Sequence, residues 1–295
     1  MNINEPDTND PKGIQLIVRA FRYRNYRLFF AGQFVTLVGT WIQQIALSWL
    51  IYRLTSSPFL LGLVSFVGQL PSVFLSPLTG VLADRWNRRK ILIFTQSCYM
   101  LQAITLSILV LTDVIAIWHI IALGFLMGII FSFDGPTRQS FVVEMVEEKA
   151  HLGNAIALNS FMFNGSRLIG PSIGGILIAA VGEGYCFLVN AITYLAVISA
   201  LLAMKIAPKE PQTIKTNIMQ QLKEGFAYTF SIPPIKSILL LLGLISLMAM
   251  PYFLLMPVVA KDVLHGGPHT MGFLMTSVGI GALIGAVYLA SRSGI

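Results

Sequence analysis

The sequence predicts an all-α polytopic membrane protein, and three observations carry that prediction. Charged residues make up 11% of the chain and hydrophobic residues 55%, whereas soluble domains carry roughly 25% charged residues. Two stretches, Leu60 to Leu82 and Ile91 to Thr112, contain no charge; at about 1.5 Å per residue each can cross about 30 Å of hydrocarbon as a helix. The cluster between them, Asp84, Arg85, Arg88, Arg89 and Lys90, must then lie in water at one membrane face. The mean hydropathy of +0.75 agrees.

Eight apolar segments are long enough to span. The first, Leu28 to Tyr52, follows a polar, acidic start, Met1 to Pro11, and no apolar stretch with a small-residue cleavage site precedes it, so no cleaved signal peptide is expected. On it Gln33, Thr36, Thr40, Gln43 and Gln44 form one polar side against Phe34, Leu37, Val38 and Ile45. Such groups should face the bundle interior, where they either line a cavity or hydrogen-bond between helices. Trp41 and Trp49 either add stacking surface there or face lipid. The second segment, Phe59 to Ala83, opens at Ser57-Pro58, and the third, Ile91 to Leu111, follows the charged hinge. The fourth, Val114 to Phe133, has Gly124 and Gly128 for close packing and ends at Asp134-Gly135-Pro136-Thr137-Arg138.

The fifth segment, Asn154 to Ala180, contains Gly165-Ser166-Arg167-Leu168-Ile169-Gly170-Pro171-Ser172-Ile173-Gly174-Gly175. Ser166, Gly170 and Gly174 recur every four residues, a small-residue face for close helix packing, and Pro171 removes a backbone donor and can kink the helix. Arg167 falls roughly 20 Å into the bilayer, where a charge is costly unless it meets a partner or a wet cavity. It is either a structural arginine bonded to carbonyls or a substrate or gating residue. The sixth segment is Tyr185 to Met204, the seventh Ile235 to Ala260 and the eighth Thr270 to Ala290.

The longest hydrophilic stretch, Lys205 to Pro234, holds Pro208, Pro211 and Pro233-Pro234, which cannot continue a helix. Three units follow: an N-terminal six-helix bundle over residues 1–204, a linker over 205–234, and a two-helix part of a second bundle over 235–295. Within the linker Ile214, Ile218, Leu222 and Phe226 recur every four residues, as an amphipathic helix on the membrane surface or one packed on the bundle. A weak repeat agrees with two bundles: Pro58-x-x-x-Gly62 and Pro268-x-x-x-Gly272 open the second and eighth segments 210 residues apart.

Orientation follows from the basic residues, which favour cytoplasmic loops. With the N-terminus inside, 17 of the 20 lie in cytoplasmic connections, Arg53 and Lys261 lie outside, and Arg167 is intramembrane. This predicts a multi-pass protein of the plasma (inner) membrane. The net charge of +7 belongs to these loops, with no aromatic-basic pattern for nucleic acid. Cys98 and Cys186 fall in apolar segments as small hydrophobes. His119, His151, His265 and His269 lack metallohydrolase spacing. No metal site, cofactor or catalytic constellation is visible, and the reading is a non-enzyme.

The hinge has order beyond its charge. Asp84 ends a helix, where the negative dipole end calls for a cationic answer, and Arg85, Arg88 and Arg89 are near. Gly80-Val81-Leu82-Ala83-Asp84-Arg85-Trp86-Asn87-Arg88-Arg89 resembles the signature between helices two and three of major facilitator superfamily transporters. Asn87 stands where the family usually has glycine and still tolerates a left-handed turn. The resemblance implies a cytoplasmic gate of Gly80, Asp84, Arg85, Arg88 and Arg89, which the sequence extends to an ion-pair network with Asp134, Arg138 and Glu144; ordinary solvated loop charges are the alternative.

Gly170-Pro171-x-x-Gly174-Gly175 resembles the fifth-helix motif of exporting antiporters of that superfamily, which takes in Ser166 here, while a plain packing face is the other reading. Ala157 and Ser166 replace two of its usual glycines. The superfamily also lines its cavity with the first helix, which implies a substrate cavity of Gln33, Thr36, Thr40, Gln43, Gln44 and Arg167. Asn25-Tyr26-Arg27-Leu28-Phe29, Trp49-Leu50-Ile51-Tyr52 and Pro257 to Leu264 are similar to the branch of enterobactin exporters and multidrug or macrolide efflux proteins. A secondary transporter is implied, exporting a small amphiphilic molecule such as a siderophore or drug by alternating access, with protons as coupling ion. The family's fourth-helix arginine is missing, so proton coupling rests on the resemblance. Superfamily members have two six-helix bundles, and the expectation is a truncated member after the eighth span. The alternative is a truncated non-transporting membrane protein or a half-bundle needing a partner chain.

Overall fold

The structure, a computed structural model, describes residues 19–146, 152–205 and 227–291. A 3-10 turn, Arg19–Arg22, leads into α1, Arg24–Thr55. Helix α1 ends because Ser56 turns left-handed at φ 47° and donates its N–H to the Tyr52 carbonyl over 2.8 Å. Helix α2, Pro58–Arg85, starts at once: proline suits a first helical position, and the Ser57 side chain accepts from the Leu60 N–H. Trp86 is extended, and α3 runs Arg88–Leu111. Asn87, which tolerates a left-handed turn, does not adopt one here. Its φ is −68°, and its Oδ1 accepts from the Lys90 N–H at 3.1 Å as the N-cap of α3.

Helix α4, Ile117–Met145, passes well beyond the expected end at Phe133. Pro136 cannot donate to the Ser132 carbonyl. The Thr79 hydroxyl of α2 donates to that oxygen instead at 2.5 Å, so the helix loses little by continuing. Helices α5, Leu152–Val181, and α6, Glu183–Ala203, are joined by Gly182 at φ 87°. Helix α7, Pro233–Leu254, stops short of the expected Ala260. Pro257 withholds the N–H that the Phe253 carbonyl would need, and the chain goes on as a helical turn, Met256–Val258, and a wider π-type turn, Val259–Val263. Helix α8 is Pro268–Ser291. The linker positions Ile214, Ile218, Leu222 and Phe226 lie outside the described residues.

Among the described residues six helices, α1, α2, α3, α4, α6 and α7, are long and apolar enough to cross a membrane. Helix α5 has 30 residues, but its asparagines, glycines and Arg167 dilute its apolar character. Helix α1 packs on α5 and α6, α3 on α4 and α6, α2 on α4, and α8 on α5. On α7 the consecutive residues Ile238, Leu239, Leu240, Leu241 and Leu242 are all exposed and so cover every face of the helix, as suits a helix in lipid.

The core is divided. One apolar cluster joins Tyr26, Phe29, Leu92, Phe141, Met145 and Leu201 toward the hinge end. The other joins Ile45, Leu50, Leu61, Leu106, Phe187 and Met271 toward the opposite end. Between them lies a buried polar layer containing Thr36, Gln43, Gln102 and Asn190.

Candidate functional site

At the hinge end, the predicted residues separate into three arrangements. Arg88 forms an ion pair with Glu144 of α4 at 2.5 Å. Arg89 reaches α6 instead: its Nε donates to the Leu201 carbonyl at 2.6 Å and its Nη2 to that of Leu202 at 2.7 Å. These carbonyls lie in the last turn of α6, where backbone acceptors lack helical partners and a cation is favoured. Asp134 is fully buried rather than a face charge; it pairs with Arg138 one turn later and accepts from Thr95 Oγ1 at 2.9 Å and Gln96 Nε2 at 2.8 Å. Gly80, Asp84 and Arg85 belong to α2, and their side-chain surroundings lie outside the described residues.

The polar side of α1 divides too. Thr36 Oγ1 donates to the Thr193 carbonyl of α6 at 2.8 Å. Gln43 Nε2 donates to Gln102 Oε1 at 3.1 Å, while its Oε1 accepts from Asn190 Nδ2 at 2.8 Å. These residues stitch α1, α3 and α6 together, the interhelical role that this pattern also allowed. Gln33 is buried, Thr40 donates to the Thr36 carbonyl at 2.8 Å, and Gln44 is exposed.

On α5, Ser166, Gly170 and Gly174 are buried, and the two glycines lie against α1. A Cβ on Gly170 would lie 3.0 Å from the Val38 carbonyl, and one on Gly174 would lie 3.3 Å from Ile42 Cα. Gly175 faces α8: its Cβ would lie 2.8 Å from the Pro268 carbonyl and 2.9 Å from Gly272 Cα. A Cβ on Gly272 would in turn lie 2.7 Å from the carbonyl of Pro171. Helices α5 and α8 thus meet backbone to backbone.

Arg167 stands midway along α5, half-buried. Its guanidinium carbon lies 4.7 Å from the ring centre of Phe253 on α7 and 5.9 Å from that of Trp41 on α1. Phe163 meets Trp41 edge-on at 5.9 Å, and Phe253 lies 6.0 Å from Trp41. Arg167 Nε and the neighbouring Ser166 Oγ are buried without a hydrogen-bond partner. Contact with aromatic faces contributes about 0.5–2 kcal/mol, against at least about 2.5–3.5 kcal/mol for an arginine at the centre of a spanning helix.

The opposite end holds residues that motif reading missed. Tyr52, at the end of α1, donates its hydroxyl to Asp262 between α7 and α8, and Lys261 Nζ lies 5.4 Å from the centre of the same ring. Arg53 pairs with Glu183 of α6 at 2.7 Å. Tyr52 and Asp262 are 210 residues apart, the offset of the Pro-x-x-x-Gly repeat, but a shared offset does not say that two positions touch.

Residues 18–293 match the family model described as transmembrane secretion effector, a branch of the major facilitator superfamily. The chain belongs to this family. Its all-α architecture with several membrane-length apolar helices fits a multi-pass membrane protein of that superfamily. Among similar proteins, the staphyloferrin A transporter of Staphylococcus aureus is 28% identical over 89% of this chain and 66% of its own length. Macrolide efflux protein A of Streptococcus pyogenes is 26% identical over 91% of this chain and 67% of its own. The enterobactin exporter of Shigella boydii serotype 4 is 28% identical over 89% of this chain and 62% of its own. The chain thus spans about two thirds of the length of these relatives. They are transporters by name, not enzymes.

Proposed function

We propose that the chain forms the transport core of a secondary transporter that exports a small amphiphilic molecule by alternating access. In this reading it sits in the plasma (inner) membrane with the N-terminus and hinge in the cytoplasm, and residues 1–204 act as one bundle against 235–295. The supporting observation is the contact between the two units at the end away from the hinge. At the opposite end, Tyr52 and Asp262 tie α1 to the α7–α8 connection, and α5 meets α8 at Gly175 and Gly272. Contact of this kind between the first bundle and the second unit is what a carrier shut on its outer side requires.

The hinge would work through its neighbours. Arg88 and Arg89 anchor α3 to α4 and α6, while Gly80, Asp84 and Arg85 on α2 would close the cytoplasmic side against the other bundle. Asp134, Arg138 and Glu144 hold the helices that carry this gate. Proton coupling is inherited from the family resemblance. Efflux from bacteria lacking their own exporters tests the reading, with enterobactin and a labelled macrolide as cargo. Expression of the chain should raise export of at least one, Asp84→Asn should lower it at least about tenfold, an effect of about 1.4 kcal/mol or more on the rate, and a protonophore should abolish it. Export equal to that of cells without the protein, with the chain shown to be in the membrane, would overturn the proposal.

A further inference from the structure

Arg53, Arg88 and Arg138 each have a carboxylate: Glu183, Glu144 and Asp134. Arg167 is different. Among the described residues its neighbours are the rings of Phe253 and Trp41, and its Nε is buried with nothing to donate to. The aromatic contacts fall short of the cost of holding the charge there. A guanidinium against a ring keeps its charge and its in-plane N–H donors.

Its surroundings extend as a track. Ser160 and Asn164 lie seven and three residues before Arg167, so the three share one face of α5. Both are exposed on the hinge side of the charge, with Ser160 Oγ donating to the Ile156 carbonyl at 3.1 Å and Asn164 Nδ2 to the Ser160 carbonyl at 2.9 Å. Pro171, four residues beyond, gives no N–H to the Arg167 carbonyl. A ligand reaching this point meets the guanidinium's positive charge and its N–H donors beside apolar rings.

Resting on the transport reading, we propose that Arg167 is the counter-charge for an anionic group, a carboxylate or similar oxyanion, on a substrate whose apolar or aromatic body packs on Trp41 and Phe253. The site selects against cationic amphiphiles.

Three probes with one apolar body separate charge from hydrophobicity: 2-naphthoate, neutral 2-naphthalenemethanol and cationic 2-naphthylmethylammonium. Each is measured by equilibrium dialysis against the full chain in nanodiscs of zwitterionic lipid, with empty discs subtracted. The anion should bind at least about tenfold more tightly than the alcohol, as one charge-assisted hydrogen bond implies, and the ammonium should bind weakest. Arg167→Gln should bring the anion down to the alcohol's level, whereas Arg167→Lys should retain the order. Equal binding of the three, a preference for the ammonium, or an anion preference surviving in Arg167→Gln would overturn the proposal. Binding without the charge order, in a protein that still exports, removes this inference alone; the charge order without export removes the transport reading alone.

Discussion

Asp134 shows how burial changes the meaning of a charge. Its place after the apolar run suggested the membrane face, yet it lies fully buried with Thr95, Gln96 and Arg138 as partners. Its ion pair with Arg138 was legible, but its burial was not, because Pro136 looked like a helix end and is accommodated when Thr79 serves the Ser132 carbonyl. That donor comes from a residue far away in sequence, so no local pattern reveals it. Removing one partner of a buried ion pair leaves the other uncompensated, at about 3–5 kcal/mol. Asp134→Ala should therefore markedly lower the Tm of the purified protein in detergent. Asp134→Asn keeps a hydrogen-bonding side chain and should cost less. Equal Tm values for all three forms would show that neither the Arg138 pair within α4 nor the Thr95 and Gln96 bonds from α3 depend on this carboxylate for stability.

At the scale of the element, the small-residue pattern of α5 was legible because spacing alone puts Ser166, Gly170 and Gly174 on one face. Its neighbours were not. Which helix packs there depends on tertiary order, and the structure gives α1 to that face and α8 to Gly175. The polar side of α1 likewise announced an inward face, but its partners Gln102, Asn190 and Thr193 sit on helices whose polar residues look isolated in sequence. Gly175 and Gly272 lie against each other's backbone, so either Cβ forces the same separation of α5 from α8. Overpacking of this kind costs about 1–3 kcal/mol. Gly175→Ala and Gly272→Ala should each destabilise, and the double variant should cost less than the sum, by about 0.5 kcal/mol or more. Strict additivity in thermal unfolding would mean that the two positions do not share a contact.

For the whole molecule, membrane class and helix order were readable from charge-free lengths, while the tie between the two ends of the repeat was not. Tyr52 looked like the last residue of an apolar run and Asp262 like a loop acid. They meet through tertiary packing, which brings the end of α1 against the connection between α7 and α8. If the pair holds that end shut, Tyr52→Phe should open it. A hydrogen bond to a charged group contributes about 1.5–3 kcal/mol, so the open population should rise about tenfold or more. Met271, fully buried at the start of α8, provides a reporter as Met271→Cys with Cys98 and Cys186 replaced by alanine. Its labelling by a membrane-impermeant maleimide should accelerate by that factor, and an unchanged rate would exclude the tie as a closing contact.

The polar layer through the middle of the core also constrains how the protein is made. Gln43 accepts from Asn190 across 147 residues, and Arg89 donates to the α6 backbone across 112 and 113. At about 5–20 residues per second of synthesis, α1 waits on the order of ten seconds in the membrane with its glutamine unmatched on one side. The last turn of α6 likewise becomes available to the hinge only after the chain has re-entered the membrane three more times. Biogenesis of this bundle therefore cannot finish helix by helix. Its early segments must be held, by the insertion machinery or by one another, until the sixth arrives to complete them.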